Sequence, residues 1–184
     1  MRALRSFITA FLVLTAIAIT TPDTARAASA AAIDADAKVT LNKFFNHIVN
    51  GRELANKATA VLIFPSIIKA GFGIGGEYGE GVLHVRGQRT GYYNIVGASI
   101  GFQIGVQTRS VIILFMTPAA LAGFQSRAGF EVGVDGSVAL ITVGVGGKVD
   151  TNNLLDPIIA FIFNNKGLMY NLTLEGNKIS RIRR

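Results

Sequence analysis

The stretch Gly97-Ala98-Ser99-Ile100-Gly101-Phe102-Gln103-Ile104-Gly105-Val106-Gln107 sets Ile100, Phe102, Ile104 and Val106 in alternation with Gly101, Gln103, Gly105 and Gln107. A period of two puts the large apolar side chains on one face of a strand and the small or amide-bearing residues on the other. Glycine within a strand weakens it, so its recurrence here predicts bends or close backbone approach. The rhythm returns at Phe130, Val132 and Val134, which alternate with Gly129, Glu131, Gly133 and Asp135.

Outward from that stretch, Val82 to Arg86 and Gly91 to Val96 flank Gly87-Gln88-Arg89 as a hairpin. Val111 to Met116 and Val138 to Val145 are continuously apolar, as buried strands are. Thr117-Pro118 offers a cap and a first-turn proline to a short helix through Phe124. Ile158 to Phe163, the turn Asn164-Asn165-Lys166-Gly167 and Leu168 to Leu174 read as a second hairpin, and Glu175-Gly176-Asn177 turns into a last strand, Lys178 to Ile182. On the N-terminal side, Ala60 to Phe64 is a compact strand ended by Pro65, preceded by a short helical turn over Arg52 to Ala58. Ile33, Ala37, Leu41, Phe44, Phe45 and Ile48 recur at spacings of three and four, which predicts an amphipathic helix from Ile33 to Asn50. The expected fold is α+β and β-rich: a strongly curved antiparallel sheet or small barrel with an N-terminal amphipathic helix and one short internal helix.

Arg2 and Arg5, the apolar run from Phe7 to Thr20 and the small residues of Ala25-Arg26-Ala27 form the three parts of a secretory signal peptide, residues 1–27. That leaves 28–184 as a single domain in an exported protein, periplasmic or secreted. Removing Arg2, Arg5, Arg26 and Asp23 from 18 basic and 11 acidic residues leaves 15 and 10, a net charge of about +5. Such a balance favours anionic partners, and outside the cytoplasm these are phospholipid headgroups before nucleic acid. The chain has no cysteine, which excludes disulfides, a thiol nucleophile, Cys-ligated zinc and a lipidated cysteine.

No motif makes a case for catalysis, a metal or a cofactor. Gly71-Phe72-Gly73-Ile74-Gly75-Gly76 fits G-x-G-x-x-G, but Glu77-Tyr78-Gly79-Glu80-Gly81 leads into a strand where a dinucleotide site needs a helix. Gly97, Gly101 and Gly105 are spaced as in a transmembrane packing face, yet Gln103, Gln107 and Arg109 argue for a strand. His47 reads as a polar-face helix residue and His84 as an outward strand position, with no carboxylate constellation around either. Glu77 and Glu80, in a glycine-packed turn, are expected to lie in water, where neither gains a reason to act as acid or base.

Ala60-Val61-Leu62-Ile63-Phe64-Pro65, Ile68 to Gly76, Gly79-Glu80-Gly81-Val82-Leu83, Gly97 to Gln107, Lys166-Gly167-Leu168 and Leu174-Glu175-Gly176 together resemble, in order, the SYLF domain family from about Leu54 to Ile179. The resemblance implies a domain that binds membrane lipids, phosphoinositides in eukaryotic members, and actin in some fungal ones. An exported chain meets neither actin nor phosphoinositides in its own compartment.

The leading expectation is peripheral association with anionic membrane phospholipid, through basic residues and shallow insertion of the helix face. Lys57 and Lys69 are the candidate lipid-binding residues of the family region, with Lys38, Lys43 and Arg52 assisting from the helical segment. The alternative for that helix is to cover the sheet with its apolar face, leaving the lysines simply solvated. Two other functional classes remain open: a structural or protein-interaction module of the cell envelope pairing through a sheet edge, and an outer-membrane barrel, against which the lack of tryptophan counts. Lys178, Arg181, Arg183 and Arg184 make a basic C-terminal end that suits a protein or a lipid partner.

Overall fold

The computed structural model describes residues 28–142, 156–167 and 173–184. The expected leader, residues 1–27, lies outside these, as do the last residues of the expected strand Val138 to Val145 and most of Leu168 to Leu174.

Helix α1 spans Ala30–His47, and Ser29 caps it by accepting a hydrogen bond from the Ala32 amide at 3.2 Å. Its apolar stripe predicts which face is hidden: Ile33, Ala37 and Phe44 are buried, as is Ile48 just beyond its end. That face packs on the sheet, with the Phe44 ring edge-on to Phe161 at 5.0 Å. A short helix α2, Gly51–Lys57, then leads into strand β1.

β1 runs from Ala60 to Val85 and β2 from Gln88 to Phe115, paired antiparallel along nearly their whole length. Pro65 does not end the strand. Its missing amide falls at the register shift between Phe64 and Ile67, where the ladder asks for no donor, and its carbonyl accepts from Ser110 Oγ at 2.7 Å. The connecting turn is shorter than the sequence suggested: Val85 pairs with Gln88, and Arg86 and Gly87 have φ of 50° and 76°, the signature of a two-residue type I′ turn.

This two-stranded ribbon folds back on itself. An added Cβ at Gly79 would lie 2.8 Å from the Ser66 carbonyl oxygen, and one at Gly81 would strike the Ile63 carbonyl, so the arms 60–70 and 76–85 of β1 lie backbone against backbone. The chain reverses between them at residues 71–75. There the register steps from Phe72 opposite Ile104 to Ile74 opposite Ile100, so one residue of β1 faces three of β2. Extra residues in one strand of a pair bend it and sharpen its twist, and this is the corner that the glycine spacing foretold.

Helix α3 is Pro118–Gln125, with Thr117 as N-cap and proline in its first turn, as expected. β3 is only Phe130–Glu131; the alternation through Val134 is interrupted because Gly133, Val134 and Asp135 form a turn closed by the Glu131 amide donating to Asp135 Oδ2 at 2.7 Å. β4 (Ala139–Thr142), β5 (Ile158–Lys166) and β6 (Lys178–Ile182) complete a six-stranded sheet in the order β3-β6-β2-β5-β4, with β1 also on β2. The sheet is mixed, because β4 pairs parallel with β5 while the other ladders are antiparallel.

Both faces of the sheet are covered, which explains the continuously apolar runs at Val111–Phe115 and Ile158–Phe163. Leu62, Phe64, Ile95, Ile113 and Phe115 face a core shared with Phe124 of α3. Ile63, Val82, Ile112, Leu114 and Phe161 face a second core under α1. No helix among the described residues is long and apolar enough to cross a membrane.

Candidate functional site

Three polar or apolar constellations stand apart from these cores. The first is the corner. With the helices covering only the arms, side chains on its outer surface have no layer to pack against: Phe72 is 79 % exposed and Ile74 74 %, with Ile68 and Val106 also more than half exposed. Neither Ser66–Gly76 nor Gly97–Ser110 contains an Asp or Glu, and exposed Lys166 stands opposite Thr108 at the corner's base. Scattered apolar side chains on a surface are ordinary; a cluster on one protrusion marks an interaction site.

The second lies inside the fold. Glu77 was expected in water, but it is 8 % exposed and paired with Arg109, itself 2 % exposed. Arg109 Nη2 donates to both Glu77 oxygens at 2.8 Å and to the Thr173 carbonyl at 3.1 Å, and Asn177 Nδ2 donates to Glu77 from the loop before β6. The reason is the corner: it brings β1 residue 77 over β2 residue 109, partners that are far apart in the ladder. Burial pushes the Arg109 guanidinium below its ordinary value, against the pull of Glu77. This pair ties β1, β2 and the loop before β6 together in a low-dielectric setting.

The third is the end that holds the Arg86-Gly87 turn. A cleft of about 280 Å³ there is lined by Asn56 of α2, Ala60, His84, Arg86 and Gly87, which sets α2 beside the turn. Half-buried His84 faces this cleft rather than open water; burial lowers its pKa, Asp34 raises it and Arg89 lowers it further. Arg89 Nη1 bonds Asp34 Oδ2 at 2.9 Å, and its guanidinium stands 5.4 Å from the Tyr92 ring centre. Arg184 pairs with Glu80. Burial raises the Glu80 pKa, but Arg184 and the Tyr78 hydroxyl outweigh it and hold the carboxyl below its ordinary value. Arg86, Arg181 and Arg183 make no ion pair among the described residues.

The candidate lipid-binding residues of the sequence do not form one cluster. Lys57 is exposed and bound to Glu53 at 2.6 Å, one helical turn away. Arg52 lies 4.3 Å over the Phe45 ring. Both belong to α2 and so to the turn end. Lys38 and Lys43 are exposed on the outer side of α1, whose apolar face is committed to the core and cannot also enter a bilayer. Lys69 is only 5 % exposed, on β1 opposite Gln107 in the arm leading to the corner. His47 sits on the polar face as expected, its Nδ1 2.7 Å from the Lys43 carbonyl. Sequence reading passed over the exposed corner residues because alternation says which residues share a face, and not whether that face is covered. Among the described residues no group of His, Cys, Asp or Glu could hold a metal ion.

Residues 96–183 match the family model Ysc84, described as Las17-binding protein actin regulator. The match begins within β2, just before its glycine-interrupted alternation, and runs through the whole of β6. No curated protein matches the chain.

Proposed function

We propose that the chain, whose residues 96–183 match the Ysc84 model and whose motifs resemble the SYLF family, is a non-enzymatic module that associates peripherally with anionic phospholipid. The observation that supports it is the corner, which offers Phe72, Ile74, Ile68 and Val106 to solvent on a protrusion free of carboxylates. A convex apolar tip has no pocket for a rigid partner, whereas a fluid bilayer closes around it. Transfer of one such large side chain out of water is worth about 1.5–3 kcal/mol. Lys166, exposed at the base, reaches headgroup level as the tip enters, whereas buried Lys69 does not. Lys38 and Lys43 on α1 add weaker attraction, while Lys57 and Arg52, at the turn end, lie beyond the reach of screened charge once the corner is inserted. On the export reading of residues 1–27, the surface met is that of the cell envelope.

Vesicle flotation tests this. We expect recovery with phosphatidylglycerol vesicles, little with phosphatidylcholine alone, and at least a tenfold weaker affinity for the Phe72→Ser/Ile74→Ser double variant. Equal recovery with both vesicle types, or undiminished binding of the double variant, would overturn the reading.

A further inference from the structure

The turn end carries a feature that the corner reading leaves unused. Arg181 of β6 lies opposite Tyr93 in the ladder, and its side chain runs back across Gly91, where an added Cβ would stand 3.2 Å from Nε. Glycine at 91 leaves room for the guanidinium to lie close along the strand. Two clefts meet at it. One, of about 380 Å³, is lined by the tilted rings of Tyr93 and Phe124, 5.1 Å apart, and by Gln125 and Arg127. The other, of about 530 Å³, is bordered by Gly91, Tyr92, Arg183 and Arg184.

The neighbouring cations are unequal. Arg127 is held by Asp135 at 3.2 Å and Arg184 by Glu80, so their charges are largely answered. Arg181 has one hydrogen bond, from Nη2 to the Thr90 carbonyl at 3.4 Å, and Arg183 is exposed with no side-chain partner among the described residues. A guanidinium is planar, always charged and shaped to donate two parallel hydrogen bonds to a phosphate or carboxylate. Two of them stand beside clefts lined by no Asp or Glu side chain, a setting that suits an anion.

We propose that Arg181 and Arg183 form a binding site for a phosphate-bearing anion, seated in the clefts on either side of Arg181. Anion binding at this site does not depend on the corner; only the bridging of two membranes rests on the corner reading. The corner and the turn end are separated by the length of an arm, about ten residues or roughly 30 Å of strand. A molecule seated by its corner therefore turns Arg181 away from that bilayer. The phosphate can come from a free polyanion or from the headgroup of a second membrane.

The test titrates the full chain with pyrophosphate, followed through the arginine Nε–H signals by proton–nitrogen NMR, and in parallel mixes it with phosphatidic acid vesicles while light scattering reports clustering. Saturable shifts of Arg181, with the apparent Kd raised about tenfold or more in Arg181→Gln/Arg183→Gln, identify a free anion as ligand. Vesicle clustering lost in that variant, without saturation by pyrophosphate, identifies a headgroup. Arg183→Gln alone touches no described partner and keeps the fold, so weaker binding by this variant supports the site even if the double variant misfolds. Phe72→Ser should leave pyrophosphate binding unchanged, which separates this site from the corner reading. Absence of both responses, or either response unaltered by the arginine substitutions, would overturn the proposal.

Discussion

The corner and the turn end are the two extremities of one folded ribbon, built from the same two strands, and they carry opposite chemistry. At the corner the chain reverses with glycines, one residue of β1 faces three of β2, and Phe72 and Ile74 stand in solvent. At the other end the chain reverses in two residues, and arginines from β2, β6 and the turn gather around it. The first bend is wide, and helices cover only its arms, so its convex side is left apolar and bare. The second is tight enough for polar side chains to fan into water. Glu77 and Arg109, inside, hold the geometry that separates them.

The largest way to break the comparison is to remove that inner tie. Glu77→Ala leaves the Arg109 charge buried without its partner, and we expect a loss of about 3–5 kcal/mol in urea denaturation. Glu77→Leu with Arg109→Met should recover much of it, since a packed apolar pair can replace a buried ionic one. Next is Gly81→Val, which places side-chain atoms against the Ile63 carbonyl and Phe64 ring and pries the arms apart; a cost of about 1–3 kcal/mol is expected, read from the thermal melt. Phe72→Ser sharpens the contrast from the other direction. Having no core partner, it should change stability by less than about 0.5 kcal/mol while weakening vesicle binding.

The smallest effects are in pH. The Glu80 pKa is depressed in the folded state, so its contribution is present above the ordinary value of 4.5 and fades as pH falls through the lower folded value. The His84 pKa is also depressed, so the unfolded chain takes up its proton first, and stability declines as pH drops below 6.5. Glu80→Gln and His84→Gln should each flatten their own part of a melting-temperature profile against pH.

Much of this was legible in the chain. The spacing of Ile33, Ala37 and Phe44 gave α1 within three residues at each end, Thr117-Pro118 gave the start of α3, and Lys178 to Ile182 matches β6. These are local signals: a cap, a period, a turn. Pro65 misled, because the rule against proline in strands lapses where a bulge asks for no donor. Glu77 misled for a related reason, since glycine neighbours suggest water only until the chain folds back and sets Arg109 over them. Of the candidate lysines, Lys69 was read as surface because β-alternation does not say which side of a ribbon becomes the inside.

By itself, then, the order of residues determined the β-rich class, the helix at the front and the bends, because periodicity, capping and glycine act over a few neighbours, and it carries the motifs by which residues 96–183 match the Ysc84 model. The tertiary structure alone decided that the greasy face of α1 is internal, that Phe72 and Ile74 are left bare, and that Arg181 and Arg183 meet at one cleft while Arg181 borders a second. Coverage and convergence depend on which distant segments come to lie against one another, and no short window of sequence contains that information.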